Sequence, residues 1–522
     1  MRLRASGAGV GLLVMLGLGC GGRSELAEGS ASGTKPAVAC KLDADCRSAN
    51  LCLPQICSSK GKCIAAPAIE CDDKNLCTRD SCEPSSGSCF RENLAEDRDR
   101  DGVLGVPFGT SSDIAAACAN DCDDTSAAVQ PGARETCDGK DNDCNGIIDD
   151  GAVWAPNGQS PLQVSFGQER AQASGIAFDG QQFALSYAGK KDNWKIYFQG
   201  ISPDARLAAQ VPLTSVNADT FGGPLLWTGS AYAVAWEDAR IDDNYEIYFN
   251  RLDRSGQKFG PDLRITRAED FSLHPALVYS DGEYLLAWDD RRSQLGAAPG
   301  SVVIYGQRVS EGGELIGSNV PLTLPESGSE SPSLARGKAK VGMVYTSLVG
   351  GAPILNFRSL SPDLSQLGPI VDVGFSDVQA PSIIWLKDRF LVFWDHFREA
   401  PGSSIWGAAL AEDGTVLVSP RAVTDYGQFA RSHVAVSLGD RALLVWSDFR
   451  YSNYELESKQ ISPSLLGLTP ETRLTTSPNE TLSPHVAIGP TGAVGILYED
   501  WLTGTRQVYF TQLLCQNSVP SL

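Results

Sequence analysis

"SAYAVAWEDARIDDNYEIYFNRLDRSGQKFGPDLRIT", residues 230–266, is the fullest copy of a pattern that recurs along the chain. A polar turn leads into an alternating strand that ends at Trp236. An acidic residue and Arg240 follow, then a second strand, then the short strand "DLRIT". Alternation with period two marks a half-buried strand. The same opening is found in "GEYLLAWDDRR" (282–292), "DRFLVFWDHFR" (388–398) and "DRALLVWSDFRYSNYELESKQI" (440–461). In "QQFALSYAG", "AKVGMVYTS" and "GAVGILYED", Tyr187, Tyr345 and Tyr498 take the tryptophan position, which brings the copies to seven. A repeat of roughly 50 residues, each too small to bury its own apolar face, points to a propeller.

The short closing strand also occurs seven times, as "PLQVSF", "VPLTSV", "DLRIT", "VPLTL", "IVDVGF", "RAVTD" and "TRLTT". The first of these, at Pro161, precedes copy one, and none follows copy seven. That phase predicts a seven-bladed ring in which the N-terminal strand completes the last blade and removes the open sheet edges. The expected fold class is therefore all-β, a seven-bladed β-propeller preceded by small disulfide-rich modules and a calcium-loop segment.

The chain has 522 residues and a formal charge of −20, with a pI near 4.7. This balance argues against nucleic acid as a partner, since phosphates require clustered Lys and Arg. Residues 40–151 hold 22 acidic against 11 basic side chains, so about half of the net charge sits there. Divalent cations fit such a segment.

The N-terminus, "MRLRASGAGVGLLVMLGLGC", has two arginines, an apolar stretch from Val10 to Leu18, and then small residues and Cys20. The apolar stretch is far short of the ~20 residues of a membrane span and reads as an export signal. Leu16-Gly17-Leu18-Gly19-Cys20 resembles a bacterial lipobox, which implies lipidation at Cys20. Cleaved secretion and a retained anchor are the alternatives. Gly21 after the cysteine implies, by the same resemblance, sorting to the outer membrane or cell surface. Residues 21–39 read as a flexible tether.

Fifteen cysteines suit an oxidising compartment. If Cys20 carries lipid, fourteen remain, thirteen of them between Cys40 and Cys144 and the last at Cys515. This arithmetic predicts a bridge from Cys515 to the N-terminal region, with a free thiol at each end as the alternative. Cys46, Cys52, Cys57 and Cys63 and then Cys71, Cys77, Cys82 and Cys89 form two similar sets, expected to close two disulfides each in place of a core. A zinc ribbon is the rival reading, without the usual CxxC pairs.

Two segments could hold an ion. In "CDGKDNDCNGIIDDG" (137–151), Asp141, Asp143, Asn145, Gly146, the Ile147 carbonyl and Asp149 follow the start of an EF-hand-like loop. "DRDRDGV" offers Asp97, Asp99, Asp101, Gly102 and the Val103 carbonyl in the same order. Position 12 of each, where a bidentate Glu belongs, is Phe108 or Ala152, so "NDCDDTS" is expected to supply further carboxylates from Asp121, Asp123 and Asp124. The run through "DCDD", "VQPGA" and "CDGKDNDCNG" resembles the metal-binding motif of the copper-binding MopE type, over roughly residues 96–151. The resemblance implies Asp121, Asp123, Asp124, Asp138, Asp141, Asp143, Asn145 and Asp149 as ligands. Copper prefers imidazole and sulfur, and the first histidine is His274, outside the motif. All-oxygen ligands suit Ca2+ in a structural role, with another hard ion or solvated Asx turns as alternatives.

In the repeat, Trp236, Asp238 and Arg240, with their counterparts Trp288, Asp290, Arg292, Trp446, Asp448 and Arg450, read as a staple inside each blade. A sugar or sialidase-like site is the competing use. His274, His433 and His485 fall at the start of the first strand of their blades and mark a possible propeller mouth. No catalytic constellation is identified. The division expected is a leader (1–20), tether (21–39), disulfide-rich repeats (40–93), metal-binding segment (94–152), propeller (153–515) and tail (516–522). The expected function is a lipid-anchored, calcium-binding surface protein that is not an enzyme, tethered to the membrane through its N-terminal lipid only. Its propeller binds or scaffolds a polysaccharide or surface protein; the alternative is an extracellular sialidase-like or glycosidase-like hydrolase.

Overall fold

The computed structural model describes residues 39–517, apart from 76, 106–119, 137–139, 147–151, 157–159, 293–301, 326–327, 350, 398–401, 426–428 and 490–491. Cys20, Asp138, Ile147 and Asp149 lie outside the described residues, as does the Cys515 side chain. The chain divides into two units at Ala95 and Glu96.

The first unit contains two short antiparallel hairpins, Gln55–Cys57 with Cys63–Ala65 and Thr78–Cys82 with Cys89–Asn93. Leu42, Leu53, Ile64 and Phe90 are exposed, and among its described apolar residues only Cys40 and Cys71 are buried. Covalent bonds do the work of a core: Cys40–Cys57, Cys46–Cys63, Cys52–Cys82 and Cys71–Cys89. This corrects the expectation of two self-contained modules, because Cys52 of the first set bonds Cys82 of the second, and Cys57 bonds Cys40, which lies outside both sets. It also removes the zinc ribbon, whose thiolates would have to be free.

The second unit carries the propeller, seven antiparallel sheets in chain order. Blade one is Arg170–Phe178, Phe183–Lys190, Trp194–Ile201 and Val211–Pro212. The first strands of blades two to seven are Thr220–Trp227, Ser272–Ser280, Glu330–Arg336, Val378–Leu386, Arg431–Ser437 and Thr481–Ile488. Each first strand touches the first strand of the next blade, and blade seven touches blade one, so the ring is closed. Closure takes the predicted form: Leu162–Gln163 pairs with Gln507–Asn517, with Phe510 opposite Leu162. A second N-terminal strand, Ala152–Pro156, extends the same sheet.

The core lies in the seams between blades. Ala233, Ala235 and Phe249 of blade two pack on Tyr284, Leu286 and Trp288 of blade three, and the other seams repeat the arrangement. Trp236, Trp288, Trp394 and Trp446 are wholly buried in second strands, as are Tyr187, Tyr345 and Tyr498 in the degenerate copies. Burying such a ring stabilises the seam by about 3 kcal/mol, so each blade holds only against its neighbours.

Candidate metal centre and the propeller channel

The loop 97–104 is closed by a two-residue bridge, with Glu96 N–H donating to Gly105 O (3.0 Å) and Gly105 N–H to Glu96 O (2.8 Å). A Cβ on Gly105 would lie 2.3 Å from the Asp124 Cβ, so only glycine lets the "DCDD" segment come this close. Asp124 Oδ1 accepts the Arg98 N–H at 2.9 Å. Asp97, Asp99 and Asp101 thereby bring carboxylate oxygens within 4.8 Å of one another, and Asp99, Asp121 and Asp124 form a second, overlapping group. The Val103 N–H bonds Asp101 Oδ1 at 2.8 Å, which ends the turn at its seventh position.

Four oxygens of this group, Asp97 Oδ1, Asp99 Oδ2, Asp101 Oδ2 and Asp121 Oδ2, are buried with no hydrogen-bond partner among the described residues. Burial and the carboxylates of Asp101, Asp99 and Asp124 raise the Asp121 pKa above the usual range. Uncompensated buried carboxylates cost several kcal/mol each, and a divalent cation removes that cost. Oxygens that share a calcium ion lie at most about 5 Å apart, and the oxygens of each group lie within 4.8 Å of one another.

The second loop has the same backbone. Position six donates to the carboxylate at position one in both, Gly102 N–H to Asp97 Oδ2 (3.2 Å) and Gly146 N–H to Asp141 Oδ2 (2.7 Å). Positions four and six are left-handed in both, with φ of 67° and 95° at Arg100 and Gly102 and 58° and 92° at Cys144 and Gly146. Left-handed Arg and Cys cost about 1 kcal/mol each, which a bound ion or crosslink offsets. Asp141 and Asp143 meet Glu135, whose Oε1 accepts the Asp143 N–H at 2.7 Å. Glu135 was missed in the sequence because it lies upstream of the loop; its position two residues before Cys137 was the available signal. Asn145 N–H donates to Asp143 Oδ1 at 3.1 Å. The disulfide Cys122–Cys144 joins the "DCDD" segment to the second loop, Cys122 following Asp121 in the chain and Cys144 lying between Asp143 and Asn145. Asp123 turns away to Lys140 Nζ (2.6 Å), whose ammonium holds its pKa low, and enters neither carboxylate group.

In the propeller the Trp, Asp and Arg set is internal. Trp236, Trp288 and Trp446 donate Nε1–H to Asp238, Asp290 and Asp448 at 3.0, 2.8 and 3.0 Å. Arg240, Arg292 and Arg450 close onto the same carboxylates. These groups stabilise turns and seams, and their guanidinium groups are engaged within the blades.

The channel holds a second repeat that the sequence did not reveal. All seven first strands have a register shift against their second strands. At the bulge, His274, Ser331, Ala380, Ser432 and Ser483 adopt left-handed φ between 48° and 57°. In four places a carboxylate one residue beyond the Trp or Tyr crosses to the next blade's bulged strand. Glu237 accepts from His274 N–H (2.7 Å), Asp289 from Ser331 (2.8 Å), Asp395 from Ser432 (2.8 Å) and Glu499 from Ala173 (3.2 Å). Burial raises the pKa of Glu237 and Asp289 and takes Glu499 to about 7.

The three predicted histidines do not converge. His274 Nδ1 bonds Asp289 Oδ2 (2.7 Å), which raises its pKa. His433 is buried between Asp395 (2.6 Å) and Ser382 Oγ (2.8 Å). That order is that of a nucleophile triad, but the carboxylate's contact with the next blade recurs in blades without a second histidine, so its common role is to brace the ring. His485, whose pKa burial lowers to about 4, lines a channel cavity of about 360 Å3 with Gly175, Pro224 and Val434. Among the described residues no histidine joins a group of three metal-ligating side chains.

Residues 121–150 match the family described as "Putative metal-binding motif", of the Cu-binding MopE type. A curated relative, Protein psiF of Dictyostelium discoideum, is 41% identical over 56 residues, which are 11% of this chain and 8% of that protein. The chain thus spans under a tenth of its curated relative. Among solved structures, a protein of unknown function from Dyadobacter fermentans is 12% identical with a TM-score of 0.42, over 70% of this chain and 100% of that one. An endo-arabinase from Bacteroides thetaiotaomicron is 14% identical with a TM-score of 0.32, over 47% of this chain and 95% of that one. Fold and motif together define an all-β protein that joins a disulfide-rich region and an acidic metal-binding motif to a seven-bladed propeller.

Proposed function

We propose that this chain is an exported, lipid-anchored surface protein in which two Asp loops bind calcium and the propeller binds or scaffolds a polysaccharide or protein. The observation that carries the metal reading is the set of four buried, unpartnered carboxylate oxygens of Asp97, Asp99, Asp101 and Asp121. Their all-oxygen chemistry favours calcium over copper. In the first loop Asp97, Asp99, Asp101, Asp121 and Asp124 would hold the ion, and in the second Glu135, Asp141, Asp143 and Asn145, with Asp138, Ile147 and Asp149 as the motif's further ligands. The ion would hold in one shape a segment that buries little apolar surface.

An extracellular placement is supported by the disulfides and by the lipobox-like leader ending at Cys20. No helix among the described residues is long and apolar enough to cross a membrane. The binding role of the propeller is supported by the commitment of its repeated Trp, Asp and Arg to internal staples. Metal analysis and thermal unfolding of the oxidised full chain, with and without EGTA, test the metal reading. Two calcium ions per chain and a lower melting point after chelation are expected. Absence of bound calcium with an unchanged melting point overturns it. Hydrolysis of sialosides or arabinans by the purified chain would overturn the binding role in favour of an enzyme.

A further inference from the structure

Blade seven departs from its sisters at one place. In blades two, three and six the guanidinium of Arg240, Arg292 or Arg450 sits on Asp238, Asp290 or Asp448. It also reaches a polar residue just before the fourth strand, Asp262 (3.0 Å) or Glu471 (2.6 Å), or within it, Asn319 (3.2 Å). Phe249 faces Leu263 in blade two as Phe510 faces Leu162 in blade seven, so Pro161 occupies the position of Asp262. By the same register Tyr498, Asp500, Leu502 and Thr511 occupy the positions of Trp236, Asp238, Arg240 and Asn250. Blade seven keeps the carboxylate and has leucine where its sisters have the arginine. The degenerate blades one and four, with Gly189 and Ser347 at this position, have lost the carboxylate as well.

Those five residues, Pro161, Tyr498, Asp500, Leu502 and Thr511, line one cavity of about 310 Å3. A phenol is smaller than an indole and leucine is shorter than arginine, which accounts for the space. Tyr498 is wholly buried, and its hydroxyl has no hydrogen-bond partner among the described residues. Asp500 is 1% exposed and accepts from the hydroxyls of Ser477 (2.9 Å) and Thr481 (3.2 Å), but pairs with no cation among the described residues. Burial raises its pKa. Arg473, which also lines the cavity, is already paired with Glu455 (2.9 Å) and lies over Tyr451 (3.9 Å). Tyr509 stacks on Tyr498 at 6.1 Å, as Tyr248 stacks on Trp236 at 6.1 Å and Tyr305 on Trp288 at 6.3 Å. In blades two and three the arginine lies over that second tyrosine, at 4.3 and 4.2 Å.

We infer that this cavity is a binding site for a guanidinium group, which takes the place that an internal arginine fills in the sister blades. A planar guanidinium matches the carboxylate of Asp500 through paired N–H donors and meets the aromatic face beside it, whereas an ammonium matches neither as well. The inference deepens the reading of the propeller as a binding module by naming what one site on it accepts. The guanidinium comes either from an arginine side chain of a protein partner or from a free guanidino compound.

Titration calorimetry on the full chain uses methylguanidinium, the peptide Gly-Arg-Gly and, as a control, butylammonium. Saturable binding of a guanidinium probe, at least tenfold tighter than butylammonium, is expected. A tenfold preference for the peptide points to a protein arginine, and equal or reversed affinity points to a free compound. Leu502→Arg supplies the group internally and should abolish binding while raising the melting point by a few degrees. Asp500→Asn should weaken binding at least tenfold. Absence of binding at millimolar probe, or binding undiminished in Leu502→Arg, overturns the assignment. That failure would leave the wider reading of the propeller open to partners at other faces, so the two can fail separately.

Discussion

The propeller and the segment before it solve the same problem by opposite means. Between residues 40 and 95 the large apolar side chains described are not buried, and disulfides take the place of a core, four of them between described cysteines of this region. From residue 162 onward the described cysteines give way to seams filled by buried Trp, Tyr, Phe and Leu. The Asp loops lie between these regimes in sequence, with the Cys122–Cys144 disulfide and three acidic groups among the described residues. Crosslinks lower the entropy of the unfolded chain, whereas burial lowers the free energy of the folded one. The two parts should therefore respond to different insults.

Reduction should separate them most. Each loop of 17 or 18 residues closed by a disulfide contributes about 3 kcal/mol, so dithiothreitol should abolish hydrogen-exchange protection between residues 40 and 95. Protection of the seam strands should persist; simultaneous loss would break the comparison. Next in size, Trp288→Ala removes a wholly buried indole and should cost about 3–5 kcal/mol of propeller stability by denaturant unfolding, with the disulfide unit unaffected.

The Asp loops give a smaller effect. Asp121→Asn should lower calcium affinity at the first loop by at least tenfold, about 1.4 kcal/mol, in a calcium titration. Asp123→Asn, which loses only the pairing with Lys140, should leave calcium stoichiometry unchanged. The smallest effect concerns the channel. The Glu499 carboxyl titrates at about 7 in the folded chain and near 4.3 unfolded, by the ordinary value for Glu. Between these values the folded state holds a proton that the unfolded state releases, so stability falls as pH rises through the window. Glu499→Gln should gain melting temperature relative to wild type between pH 4.5 and 7, with no further gain above 7.

Much of the propeller was legible because its markers are large and periodic. A tryptophan in each well-formed second strand and a short strand after it count the blades and set their phase, and Pro161 before copy one announced the closure. The bulges were hidden because the left-handed residue differs from blade to blade: His274, Ser331, Ala380, Ser432 and Ser483 share a backbone angle, not a side chain. The common cue was the proline after it, at Pro275, Pro332, Pro381 and Pro484. In the Asp loops the alternating carboxylates were legible because odd positions point at one centre. Glu135 and the turning away of Asp123 were not, since both depend on how segments distant in sequence come together. The link between Cys52 and Cys82 was hidden for the same reason, as spacing alone does not fix disulfide pairing.

Ring closure by residues 152–163 has a consequence for how the molecule is made. A nascent chain delivers its segments in order, so the strands Ala152–Pro156 and Leu162–Gln163 are synthesised before the other propeller strands and must wait for Gln507–Asn517. Until translation reaches them, six blades can stack but the seam between the seventh and the first stays open, with unpaired strand edges on both sides. The last few dozen residues thus decide the fate of the previous three hundred: ribosome stalling or premature termination near residue 500 would leave a nearly complete ring with adhesive ends, whereas completion seals it at one stroke.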